Sequence, residues 1–184
     1  MKDLHNGINS EKNKMRNAFK EMLTSEYNKY HLTITFREGT KDDVALGSLN
    51  FLMKCLNQRL FGRRYLHKNR FIDGFVARER CGNGTLHFHI LIRDKRGDLE
   101  SRFPIRIVLE ELIPKLSSIG HNSKHRVKRR LIGDRGWLLQ PYKNNGDSRL
   151  EEYLTKNFDS FSSEIDEKGD TIGLLGAEYV HFGC

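Results

Sequence analysis

The run Thr85-Leu86-His87-Phe88-His89-Ile90-Leu91-Ile92 narrows the structures open to this chain more than any other stretch. Successive side chains of an extended strand point to opposite sides, so Leu86, Phe88, Ile90 and Ile92 line one face and His87 and His89 the other. The segment reads as a strand with its aliphatic face on a core and two imidazoles side by side on the far face. Such a pair is half of a metal site, but histidines on a half-buried sheet also serve as ordinary hydrogen-bonded side chains. The tripeptide alone does not choose between the two.

The residues before it sharpen the choice. Phe71 to Arg80 is also strand-like, and Cys81-Gly82-Asn83-Gly84 is turn chemistry, with two glycines and an asparagine able to take positive φ. A hairpin centred on Asn83 opposes Val76 to Ile90 and Glu79 to His87. A carboxylate then sits across from the first histidine on the same face. Glu79, His87 and His89 on two rigid strands would leave several positions of a divalent ion open for substrate oxygens. The same register puts Arg78 and Arg80 on the core-facing side, so they must escape at the hairpin end or the register is off by one.

Charge limits the class of partner. The 184 residues hold 32 Lys and Arg against 24 Asp and Glu, a net charge of +8, which favours polyanionic partners over mimicry of an acidic protein. The length suits one domain with a sizeable core. Cys55, Cys81 and Cys184 are odd in number and lack the Cys-x-x-Cys spacing of a zinc site, so a reducing, cytoplasmic compartment is the expectation. No apolar run reaches the roughly 18 residues of a membrane helix, and the polar N-terminus does not read as a signal peptide.

Along the chain, Met15, Phe19, Met22 and Leu23 predict an amphipathic helix from about Ser10 to Tyr27, within an N-terminal region 1–30. His31 to Phe36 alternates as a first strand, with Leu32, Ile34 and Phe36 inward and His31, Thr33 and Thr35 outward. After Thr40, Ala45, Leu49, Leu52, Leu56 and Leu60 form a helical stripe that stops at Gly62. Arg59, Arg63, Arg64, Lys68 and Arg70 follow with no acid among them. Ile105 to Ser118 predicts a second core helix that Pro114 must kink or shorten. A denser basic patch, Lys124, Arg126, Lys128, Arg129, Arg130 and Arg135 with His121 and His125, carries one acid, Asp134. Such a run is a solvated loop in most proteins; beside a metal site it grips phosphates. Trp137 to Gln140 reads as another strand.

Ser148 and Glu151 have capping-box spacing, and Leu150, Leu154 and Phe158 recur every four residues, which predicts a short helix. Tyr153 and Lys156 lie three apart on it. A lysine ammonium beside a phenol stabilises the phenolate, the attacking form, although the pair also fits the boundary of an amphipathic helix.

In this order, a first strand at His31–Phe36, Glu79 eight residues before a His87-x-His89 strand, and a helical Tyr153-x-x-Lys156 resemble the three motifs of the HUH endonucleases. Their order is that of rolling-circle replication initiators and single-tyrosine transposases; relaxases, with the tyrosine ahead of the histidines, fit less well. The resemblance covers about residues 31–158 and leaves a tail, 159–184, with no assigned role. It implies an α+β, ferredoxin-like or RRM-like antiparallel sheet with helices packed on one face. It also implies Mg2+ or Mn2+ held by Glu79, His87 and His89, with Tyr153 as nucleophile and Lys156 as its partner. Single-stranded or unpaired origin DNA would lie on the basic patches, including Arg63, Arg64, Lys124, Arg126, Lys128, Arg129 and Arg130. The long gap between His89 and Tyr153 requires an enlarged region from Ile105 to Trp137, and Tyr142 is an alternative nucleophile in a loop. There is no Walker A pattern, so any helicase comes from another chain.

Two other classes compete. A non-catalytic RRM-like module wants aromatics where this chain offers His87, His89 and Glu79. A cupin-type metalloenzyme also uses His-x-His, but it wants a glutamate where Asp94 stands and a later third histidine in a Gly-rich strand, a pattern not found in this sequence.

Overall fold

The strands form where the alternation predicts them, and the turn between them sets their register. The computed structural model describes residues 17, 21, 23–119, 128–142, 171–176 and 180–182, without the side chains of 118, 119, 128, 171–173, 181 and 182. In chain order the elements are β1 (Asn28–Phe36), α1 (Asp42–Phe61), β2 (Asp73–Arg80), β3 (Leu86–Arg93), α2 (Ile105–Leu112), β4 (Ser117–Ile119), β5 (Lys128–Arg130), β6 (Ile132–Pro141), β7 (Thr171–Leu175) and β8 (Val180–Phe182). Most of the helix expected from Ser10 lies outside the described residues.

β2 and β3 pair as the turn dictates, Val76 with Ile90 and Glu79 with His87. In the turn, the Gly84 N–H donates to the Cys81 carbonyl at 2.8 Å and the Cys81 N–H to the Thr85 carbonyl at 2.9 Å. Positive φ falls on Gly84 alone, at 79°; Gly82 and Asn83 do without it. Asn83 acts instead through its side-chain carbonyl, which accepts the Thr85 N–H at 3.1 Å. Arg80 escapes the core face as the register requires, donating to the Gly84 carbonyl and pairing with Asp42 at the start of α1.

α1 carries Asp42 and Asp43 in its first turn and Arg59 in its last, each favourable to the helix dipole. Its buried stripe, Ala45, Leu49, Leu52, Leu56 and Leu60, covers the sheet. Gly62, at φ 88°, ends it. Buried Asn57 accepts the Ile72 N–H at 2.8 Å, tying the helix to the entry of β2. α2 stops six residues short of the expected Ser118. Pro114 sits in a 3-10 turn, Ile113–Lys115, after which the chain is extended in β4.

The main sheet has six strands in the order β6-β1-β3-β2-β7-β8, every pairing antiparallel. Its first four, with α1 between β1 and β2 and α2 between β3 and β6, make the split βαβ arrangement of ferredoxin-like domains. Leu32, Ile34, Phe36, Val76, Phe88, Ile90 and Ile92 meet both helices in one apolar core. The fold is thus α+β with the described helices on one face, and no described helix is long and apolar enough to cross a membrane. Residues 171–175 and 180–182, from the stretch with no assigned role, extend the sheet beyond β2. β4 and β5 form a separate two-stranded ribbon.

Candidate functional site

Three central strands bring the candidate ligands together. Across them, Thr35 of β1 faces His87 of β3, which faces Glu79 of β2; in the next row, Thr33 faces His89, which faces Ala77. Neighbouring residues on one face of an antiparallel pair are close enough for direct side-chain contact. The Thr35 hydroxyl lies 2.7 Å from His87 Nδ1. His31 reaches along the face from the row beyond, its Nε2 3.1 Å from His89 Nδ1 and the two rings stacked 5.2 Å apart. On its other side, His89 Nε2 is 3.8 Å from Glu79 Oε2, and the His87 and His89 rings meet edge to face at 4.4 Å. His31, His89 and Glu79 therefore form a line across three strands, flanked by Thr35 and His87.

Burial decides how the line is charged. Glu79 is 8% exposed and His89 9%, while His87 is half-buried. Burial, and then the neighbouring His87, bring the His31 imidazole down to about 4. His31 is therefore neutral at neutral pH, with one ring nitrogen able to donate a hydrogen bond and the other able to accept one.

The donor set fits a divalent ion: one carboxylate and two imidazoles, each imidazole with its Nδ1 already engaged by β1. Metal-bound histidines use their second ring nitrogen in this way. Two donors on one ion with bonds of about 2.1 Å stand about 3–4 Å apart, so the gap between His89 and Glu79 lies within that span. Among the described residues, however, no three His, Cys, Asp or Glu side chains are already closed into a cage. Closing these three on an ion takes rotation of side chains on a fixed backbone register.

The structure separates the two basic patches. The Arg37 N–H, just beyond β1, donates to the Leu131 carbonyl at 2.8 Å. Arg129 and Arg130, both exposed, therefore stand at the same end of the sheet as Thr35, His87 and Glu79. The backbone of Lys128 is there too, in β5. α1 leads away from that end, so Arg63 and Arg64, exposed beyond its C-terminus, stand at the opposite end. Arg63 lines an open cleft of about 610 Å³ with Arg59, Arg102 and Phe103, and none of the histidines borders it. Lys124, Arg126, Tyr153 and Lys156 lie outside the described residues.

Tyr142 and Tyr30 fit poorly as nucleophiles. Tyr142 donates its hydroxyl to the Leu23 carbonyl at 2.8 Å. Tyr30 lies on the helix side of the sheet and donates to Glu100 at 2.7 Å; burial, with that bond, pushes its phenol up to about 12, away from the phenolate.

His31 and Thr35 are the site residues that sequence reasoning passed over. Both were legible as outward-facing residues of β1, but nothing in the sequence states that β1 borders β3. Phe75 and Leu91, on the histidine face one row along from His89, are fully buried. Among the described residues, the large apolar groups exposed on that face are Leu138 and Leu174, not aromatics.

No family model, curated protein or solved structure matches the chain.

Proposed function

We propose that this protein is a metal-dependent endonuclease of the HUH type, which nicks and rejoins single-stranded DNA through a tyrosine ester. The observation that carries the reading is the alignment of Glu79, His87 and His89 on adjacent strands, with both imidazoles held at Nδ1 from β1. The ferredoxin-like strand order and the arginines of β5 at the same end of the sheet support it.

Glu79, His87 and His89 would hold Mg2+ or Mn2+, which when bound would offset negative charge on the scissile phosphate. Because Glu79 and His89 are nearly buried, the phosphate approaches from the side of His87 and the β5 ribbon. Tyr153 attacks phosphorus as the phenolate, with the Lys156 ammonium stabilising its charge. The bond from phosphorus to the 3′-oxygen breaks, that oxygen takes up a proton, and the 5′-phosphate remains as an ester on Tyr153. Attack by a 3′-hydroxyl reverses the step and restores the phenolate, so strands rejoin without ATP. Arg129, Arg130 and the rest of the second basic patch hold unpaired DNA beside the site.

This chemistry suits initiation of rolling-circle replication of a plasmid or phage, in which a separate helicase is a proposed partner; a single-tyrosine transposase uses the same steps. A non-catalytic RRM-like module is less favoured, because the histidine face exposes no aromatic among the described residues.

The test is a denaturing gel of the protein with labelled single-stranded oligonucleotides and Mn2+. A labelled protein band that survives detergent, and that Tyr153→Phe and His87→Ala each abolish, is the expected result. A band that persists in Tyr153→Phe moves the nucleophile. No band across a broad pool containing origin sequences leaves the binding module ahead.

A further inference from the structure

The Nδ1 contacts of the two histidines come from different residues of one strand, and that strand supplies none of the ligands. We infer that His31 and Thr35 are positioning residues, which fix both histidines to bind a divalent ion through Nε2 and so make β1 the third wall of the site. The inference rests on the metal reading above and adds to it the residues that decide whether the ion binds tightly.

The argument is one of tautomers. A neutral imidazole carries one N–H and one lone pair, and whichever nitrogen keeps the proton cannot be the ligand. With the Thr35 hydroxyl, 2.7 Å from His87 Nδ1, as the acceptor of that N–H, the lone pair is left on Nε2. With His31 Nε2, 3.1 Å from His89 Nδ1, likewise as the acceptor, the lone pair of His89 is on Nε2, the nitrogen 3.8 Å from Glu79 Oε2. The stacking of the two rings, 18° from parallel, also limits rotation of His89, so the pair is held in orientation as well as in tautomer. Thr33, directly opposite His89, is not the residue that bonds it; the contact comes along the diagonal from His31. A side chain at position 31 with no acceptor leaves His89 free to put its proton on either nitrogen.

Mn2+ binding to the full chain, followed by calorimetry and by the loss of the free-ion electron resonance signal, tests this in the wild type, His31→Leu, His31→Gln, Thr35→Val and Thr35→Ser. Loss of such a partner weakens metal binding about ten- to a hundredfold, which is the effect expected in His31→Leu and Thr35→Val. His31→Gln and Thr35→Ser, which keep an acceptor, are expected to stay within a few-fold of wild type. A merely structural role would not follow the acceptor in this way. Wild-type affinity in a folded His31→Leu would overturn the inference while leaving the metal reading in place. Absence of Mn2+ binding by the wild type would overturn both. If the leucine and valine variants fail to fold, nitrogen-15 imidazole spectra of the wild type with Mg2+ decide the matter. Protons on Nδ1 of His87 and His89 are expected, and protons on their Nε2 would overturn it.

Discussion

Tyr30, Glu100 and Lys29 show how single residues tie β1 to the loop before α2, on the helix side of the sheet. Glu100 accepts from the Tyr30 hydroxyl and from the Ile105 N–H at 2.9 Å, and lies 3.6 Å from Lys29. Partial burial works against the Glu100 carboxylate, but the Tyr30 hydroxyl, the Ile105 N–H and the Lys29 charge outweigh it and hold its pKa below the usual range. A carboxyl whose folded pKa is depressed adds stability above its unfolded value, and that stability is lost as pH falls through the folded one. Tyr30 runs the other way. Raised to about 12, its phenol adds stability below pH 10, and that stability is lost as pH climbs through 12. The melting temperature is therefore expected to carry a Glu100 share in its fall below about pH 4.5 and a Tyr30 share in its fall above about pH 10. Calorimetry of Glu100→Gln should show a shallower acid limb, and Tyr30→Phe a shallower alkaline one. Limbs as steep as wild type in both variants would mean that the network adds nothing. At the candidate site, Glu79→Gln keeps the shape of the side chain and removes its charge. It should fold normally and lose most Mn2+ affinity, whereas unchanged affinity in the same calorimetric titration would take Glu79 out of the ligand set.

At the scale of elements, the β2–β3 hairpin controls the site, because its register places Glu79 against His87. One glycine lets the far end of that pairing close. A Cβ on Gly74 would lie 1.9 Å from the Leu91 carbonyl oxygen, a backbone atom that cannot swing aside. Gly74→Ala is expected to cost about 3 kcal/mol, the upper end for overpacking, read as a lower urea midpoint. A loss below about 1 kcal/mol would show that the strands part there without penalty. The hairpin was legible in the sequence because everything that sets it is local: the alternation of β3, the glycine and asparagine of the turn, and the eight-residue spacing from Glu79 to His87. Helix α1 was legible for the same reason, through its stripe from Ala45 to Leu60 and the stop at Gly62. The neighbours of these elements were not. That β1 lies against β3, and so brings His31 and Thr35 to the histidines, is a pairing between residues more than fifty positions apart. β7 and β8 are short, and their place at the β2 edge depends on a partner that their own sequence does not encode.

Across the whole molecule, the net charge of +8 matters less than where it sits. In sequence, Arg63 with Arg64 and Arg129 with Arg130 look like equivalent patches, each a cluster of cations in a polar stretch. The chain reversals separate them: α1 carries the first pair to one end of the sheet, while the contact between Arg37 and Leu131 fixes the second at the end with Thr35, His87 and Glu79. If DNA binds with its scissile phosphate at the histidines, the second pair is the one beside that phosphate. Within that pair, Arg130 already shares its charge with Asp134 at 2.8 Å, so Arg129 should carry the larger part. Each phosphate contact on a single strand adds about 0.7 to the slope of log affinity against log salt, so removing both arginines of β5 should lower that slope by about 1.4 at most. Fluorescence anisotropy with a labelled oligonucleotide, titrated with salt, measures it for Arg129→Ala/Arg130→Ala and for Arg63→Ala/Arg64→Ala. The first double variant is expected to bind more weakly with the shallower slope, and the second to match wild type within a few tenths of a slope unit. The reverse result would put the bound strand along the cleft between Arg59, Arg63, Arg102 and Phe103, at the far end of the sheet from the histidines. A site that held DNA there would have no use for the line of His31, His89 and Glu79. The salt titration therefore tests the electrostatic part of the proposed function without requiring that the chain cut anything.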